Sequence, residues 1–106
     1  MIIQNFVDNN LVLLISKIKS YLDAKITHQD MREFVDKIFD DWDNLQCDKT
    51  IDEVKGESSF WYALWTIQHL ADEEHWKDGI TKPELIKCLG FIEKGHLPDG
   101  YIGRRP

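Results

Sequence analysis

Proline does not occur before position 83, and glycine does not occur before position 56. These are the residues that most often interrupt regular structure, so the first half of the chain can hold long unbroken helices. Cysteine is scarce: Cys47 and Cys88 stand far apart, with no C-x-x-C spacing. That excludes a disulfide scaffold and a cysteine-based zinc site. Long apolar runs are missing, since the longest early one covers only residues 11–15 and is too short to cross a bilayer. The first ten residues carry no Lys or Arg, so no signal-peptide n-region is read there. The expected location is the reducing cytoplasm, with both thiols free. Positive charge is also short: 13 Lys and Arg face 19 Asp and Glu, for a net charge of −6. Phosphate contacts need Lys and Arg, so neither nucleic acid nor an anionic membrane is an expected partner. No Gly-rich phosphate loop and no G-x-S-x-G motif occur.

What is present reads as one soluble domain over residues 1–106, with 42% hydrophobic and 30% charged residues. The apolar opening of residues 1–7 fits either a short strand or an irregular arm. Asp8, Asn9 and Asn10 are N-cap candidates, and Leu11, Leu14, Ile15, Ile18 and Leu22 then recur at helical spacing. A first helix is predicted over 9–24. Thr27 with Asp30 makes a capping-box spacing, and Met31, Phe34, Val35, Ile38, Phe39, Trp42 and Leu45 follow with a clean helical period, predicting a helix over 28–45. Thr50 and Glu53 repeat the capping spacing over one short turn, which Gly56 ends. A third helix is predicted over 58–77, with Phe60, Ala63, Leu64, Ile67, Leu70 and Ala71 inward and Gly79 as its stop. Thr81, Pro83 and Glu84 mark the start of a fourth over 82–94, with Leu85, Ile86, Leu89 and Ile92 inward. Pro98-Asp99-Gly100 is a turn, and Tyr101 and Ile102 are candidates to dock the tail. The expected fold is all-α: a compact bundle of about four helices with a short C-terminal tail.

Catalytic and metal chemistry find little support. His69, Asp72, Glu73, Glu74 and His75 crowd one helix end, but no Glu-x-x-His motif occurs among them, so a solvated helix end is the reading and no metal or cofactor is expected. Cys47 stands between Asp43 and Asp48, acids that repel a thiolate, and Cys88 falls mid-helix in an apolar pattern. No enzymatic role is expected. Trp61 and Trp65, at i, i+4 outside the inward stripe, are candidate interface aromatics; core packing is the plainer alternative.

Charge distribution carries the strongest signal. Residues 28–57 hold ten acids and four bases, a net of −6, and the rest of the chain sums to zero. Glu33, Asp36, Asp40 and Asp43 are spaced to form one outward stripe. Each like-charge neighbour costs about 0.2–0.5 kcal/mol, so the stripe costs about 1–2 kcal/mol against a total stability of about 5–15. A helix selected for stability alone would alternate Glu with Lys. The candidate partner-binding residues are therefore Glu33, Asp36, Asp40, Asp41 and Asp43, with Asp48, Asp52 and Glu53 on the following linker. A solvated acidic face is the competing explanation.

The segment LLISKIKSYLDAKITHQDMREFVDKIFDDW resembles the first helical hairpin of small acidic bacterial immunity proteins. Those of the colicin-D type and of contact-dependent growth inhibition are closest in style. The ending LPDGYIGRRP is similar to that of small bacterial proteins with no function attached. The resemblance implies a cytosolic immunity protein that neutralises a cognate toxin domain. Many such toxins are nucleases with basic clefts, and an acidic helix there would mimic substrate charge. The implied partner is a toxin domain with a basic surface. The alternative is a non-catalytic helical adaptor or regulatory subunit, dimeric through Trp61, Tyr62 and Trp65.

Overall fold

A computed structural model describes residues 1–72 and 76–106. It holds four helices: α1 (Ile2–Leu22), α2 (His28–Asp43), α3 (Glu57–Asp72) and α4 (Asp78–Lys94). No strand occurs among the described residues. The protein is an all-α bundle with an extended C-terminal tail. Its radius of gyration, 13.3 Å, is that of one compact domain of this length.

The first helix begins seven residues before its predicted start, at Ile2. The apolar period explains this. Ile3, Val7, Leu14, Ile18 and Tyr21 lie on one buried face, so residues 1–7 extend the same stripe rather than forming a strand or arm. Asn10 does not cap; its side-chain amide donates to the Phe6 carbonyl one turn back, at 2.8 Å. The second helix starts as predicted. Thr27 Oγ1 accepts from the Asp30 N–H, and Asp30 Oδ2 accepts from the Thr27 N–H at 2.9 Å, completing the box. It stops at Asp43, earlier than the apolar spacing predicted, because Lys49 closes it. Lys49 Nζ donates to the Trp42 carbonyl at 2.6 Å, a cation on the negative end of the helix.

The core is aromatic at its centre. Trp61 is fully buried and touches the rings of Trp42, Phe60, Phe6 and Phe39, with centroids 4.9 to 6.3 Å away. Elements α1, α2 and α3 therefore meet on one indole. Two of these pairs are stacked and two edge-on, and such pairs add about 0.5–1.5 kcal/mol each beyond area burial. The prediction that Trp61 lies outside the inward stripe is corrected: α3 is buried over most of its circumference, not along one stripe.

Two predicted boundaries fail around residue 77. Helix α3 is described as far as Asp72, and Trp76, within the predicted span, is non-helical, its indole N–H donating to the Tyr21 hydroxyl at 2.8 Å. The final helix starts at Asp78, so Gly79 lies inside it and not at a stop. The predicted cap at Thr81 does not form. The N–H groups of Ile80 and Thr81 both donate to the Lys77 carbonyl, which starts the helix one turn early. Thr81 is buried with its hydroxyl unpartnered, and Pro83 sits inside the helix. That earlier start goes with a different inward face: Leu85, Cys88, Phe91 and Ile92 are buried, whereas Ile86, predicted inward, is 59% exposed. Gly95, in the left-handed region at φ 77°, ends α4 as predicted.

Substitution at the two adjacent positions tests this register. Leu85→Ala is expected to lower unfolding free energy by about 2–5 kcal/mol through the cavity it leaves. Ile86→Lys is expected to change it by no more than about 0.5 kcal/mol. Urea denaturation followed by tryptophan fluorescence measures both.

Candidate functional site

Every predicted acid of the partner face is exposed: Glu33, Asp36, Asp40, Asp41 and Asp43 on α2, and Asp48, Asp52 and Glu53 on the linker. The α2 acids keep the buried side of the helix (Met31, Val35, Ile38 and Trp42) turned inward. Two of them are balanced within the helix. Arg32 stands 3.9 Å from Asp36, and Lys37 stands 2.8 Å from Asp41. Both are solvent-exposed i, i+4 pairs, which contribute little and are screened by salt. Glu33, Asp40 and Asp43 make no ion pair among the described residues. The ridge is therefore real as a surface and partly neutralised.

The linker acids behave differently. Asp48 accepts hydrogen bonds from the Thr50 N–H and hydroxyl, which hold its carboxyl below the usual carboxylate range. Thr50 thus serves Asp48 and does not cap a turn with Glu53. Asp52 and Glu53 belong to a stretch organised from the C-terminus. The Arg105 guanidinium lies against it, with Nη1 donating to the carbonyls of Lys49 and Ile51 and Nη2 to that of Asp52.

Arg105 has one further partner, and it is the residue that the sequence reading missed. Its Nε and Nη2 donate to the two oxygens of Glu57, which is only 2% exposed. Glu57 also accepts from the Val54 N–H and the Trp61 indole N–H, both at 2.9 Å. Burial pushes the Glu57 carboxyl up, but the bonds from Arg105, Val54 and Trp61, and the Arg105 charge, outweigh it and hold the group below its ordinary value. Glu57 was counted among the acids of the charged stretch; it is internal. In the sequence it stood one residue before the predicted start of the third helix, with nothing to mark it as internal. Arg105 fell in the short C-terminal tail, for which only Tyr101 and Ile102 were docking candidates.

The tail is seated by this pair and by three smaller contacts. Tyr101 packs on Tyr62 and Phe91, at 5.5 and 5.1 Å between ring centroids. Gly103 lies so close to the Ser58 carbonyl that a Cβ there would overlap it. The Trp65 indole N–H donates to the Arg104 carbonyl at 2.8 Å. Trp65 remains 37% exposed, and its ring sits 4.8 Å from Phe39 on α2. The two candidate interface aromatics thus part company. Trp61 is a core residue in the single chain and is withdrawn as an interface residue; Trp65 lies at the surface. Ile102, expected to help dock the tail, is 65% exposed.

No group of three or more His, Cys, Asp or Glu side chains suited to a metal occurs among the described residues. The His69–His75 cluster extends over Glu73, Glu74 and His75, which lie outside the described residues. Burial pushes the Cys88 thiol up to about 12, so it is not poised as a nucleophile. No helix among the described residues is long and apolar enough to cross a membrane. No family model matches the chain, and no curated protein or solved structure shows significant similarity to it.

Removing either member of the internal ion pair is expected to be severe. Arg105→Ala leaves Glu57 buried with its charge uncompensated and should cost about 3–5 kcal/mol. Acid should act on the same pair. A carboxyl held below its unfolded value contributes stability above that value, near 4.3, and loses it as the pH falls through the folded value. Thermal melts between neutral pH and pH ~3 should therefore show a smaller fall in midpoint for Glu57→Gln than for the wild-type chain.

Proposed function

We propose that the protein is a cytosolic immunity protein that binds and neutralises a toxin domain of nuclease type through the acidic face of α2. The observation that carries the reading is the exposed ridge formed by Glu33, Asp36, Asp40 and Asp43 along one helix, flanked by Asp41. Three of these acids lack an ion-pair partner among the described residues, and the helix tolerates their mutual repulsion. Complementary potentials of this kind raise association rates well above the roughly 10⁵–10⁶ M⁻¹s⁻¹ of neutral pairs. Fast capture is the property an antidote needs when a few free toxin molecules are harmful. The resemblance of the first helical hairpin to acidic immunity proteins supports the same reading.

An adaptor or regulatory role for another protein is the competing reading. Its dimeric form loses one support, since Trp61 is fully buried in the single chain.

Coexpression in bacteria with the C-terminal domain encoded by the gene immediately upstream tests the proposal. The wild-type chain should restore growth. The triple reversal Asp36→Lys, Asp40→Lys, Asp43→Lys should abolish protection while leaving the fold intact, since all three are exposed. Full protection by the reversed variant would remove α2 as the binding face. The association rate of the purified pair should also fall steeply as salt is raised.

A further inference from the structure

Three separate parts of the chain bring apolar side chains to one surface groove of about 740 Å³. Trp65 comes from α3, Ile80 from the start of α4, and Ile102 from the tail. They are 37%, 55% and 65% exposed, respectively. Thr66, Gln68, His69 and Glu84 supply its polar margin. Large exposed apolar groups converging within a polar rim mark an interaction surface more often than chance decoration.

The wall formed by the tail is built and not incidental. Arg105 is clamped on Glu57 two residues beyond Gly103, and Gly103 lies directly on the α3 backbone. The Trp65 indole then holds the Arg104 carbonyl. Ile102 is thus kept outward at the groove edge by neighbours that are fixed on both sides.

The acids beside the groove select what it takes. Trp65 touches Phe39. On α2, Asp36 and Asp43 are three and four residues from Phe39 and so share its side of the helix, with Asp40 next to it. Trp65, which lines the groove, thus touches the side of α2 that carries these acids. A second copy of this chain meets the face poorly. A two-fold contact there would draw two acidic ridges towards each other on molecules that each carry −6.

We propose that this groove receives an amphipathic basic segment of the partner protein. Its apolar side chains would seat on Trp65, Ile80 and Ile102, and its lysines and arginines would face Asp36, Asp40 and Asp43. The inference deepens the immunity reading and rests on its acidic docking face, adding the apolar anchor that the ridge lacks. Charge at the rim accelerates encounter, and the desolvated apolar anchor slows release.

Two synthetic peptides separate the groove from the ridge: a lysine–leucine amphipathic helix, and an oligolysine of equal charge. Binding to the full chain is followed at low salt by methyl NMR and by fluorescence anisotropy. The amphipathic peptide should bind roughly tenfold or more tighter than oligolysine and shift the methyl signals of Ile80 and Ile102. Ile80→Ser and Ile102→Ser, both exposed and neutral changes, should each weaken the amphipathic peptide severalfold and leave oligolysine unaffected. Equal binding of the two peptides, with no shift at Ile80 or Ile102, overturns the groove while the acidic-face reading stands. Failure of both peptides to bind overturns both. Sedimentation showing a tight dimer that removes Trp65 from solvent overturns the choice of occupant.

Discussion

The interaction on which the rest of the structure depends is the internal pair between Glu57 and Arg105. Burying two charges is expensive, and a buried pair is tolerated only when its remaining hydrogen-bonding capacity is met. Here it is met on both sides. The guanidinium donates to both Glu57 oxygens and to three backbone carbonyls; the carboxylate also takes the Val54 N–H and the Trp61 indole. A lysine would bring the charge without the fork needed for this many directed bonds. One ion pair thus joins the linker after α2, the first residue of α3, the aromatic centre of the core and the end of the tail. Its value lies in specificity of arrangement: without it, each of these segments keeps its local bonds but loses its position relative to the others.

The fold was legible in the sequence where one periodicity acted alone. The Thr27–Asp30 box and the apolar spacing from Met31 to Trp42 give α2 almost residue by residue. It was not legible where a local signal competed with a tertiary one. Asn9 and Asn10 look like caps, but Ile3 and Val7 complete a buried face, and burial prevails over capping propensity. Thr81, Pro83 and Glu84 look like a helix start, yet the Lys77 carbonyl takes two N–H groups a turn earlier. Ile86 was misplaced for the same reason, because Leu85, Cys88, Phe91 and Ile92 set the inward face of α4. The acidic ridge was readable because it depends on helical spacing alone. The groove was not, since Trp65, Ile80 and Ile102 meet only through tertiary packing. Nor was the Glu57–Arg105 pair: its partners are 48 residues apart and each resembles ordinary surface charge.

The distribution of positive charge explains why the ridge stays acidic. Four bases lie in the acidic stretch, and one of them is turned inward. Lys49 donates to the last turn of α2 and stands 5.0 Å over the Trp42 ring, where it serves the helix end and the core. Arg105, the cation that the tail brings back to this region, is consumed by Glu57 and the linker carbonyls. What remains along α2 is Arg32 and Lys37, each engaged with an acid of its own helix. The packing of the bundle thus withdraws cations from the face that the sequence had already made acidic.

A field and an anchor do different things, and this molecule keeps them adjacent but separately built. The ridge needs only helix geometry, so its charge can change with little effect on the core. The groove needs the tail in place, and therefore the Glu57–Arg105 pair, so its shape is tied to the integrity of the bundle. An electrostatic face by itself attracts any cationic surface and releases it readily as salt rises. Discrimination requires contacts that fit one partner and leave another with unmatched apolar or polar groups. In the proposed groove such contacts would come from Trp65, Ile80 and Ile102. Of these, Ile102 belongs to the tail, whose end is fixed by an ion pair between a buried carboxylate and a largely covered guanidinium.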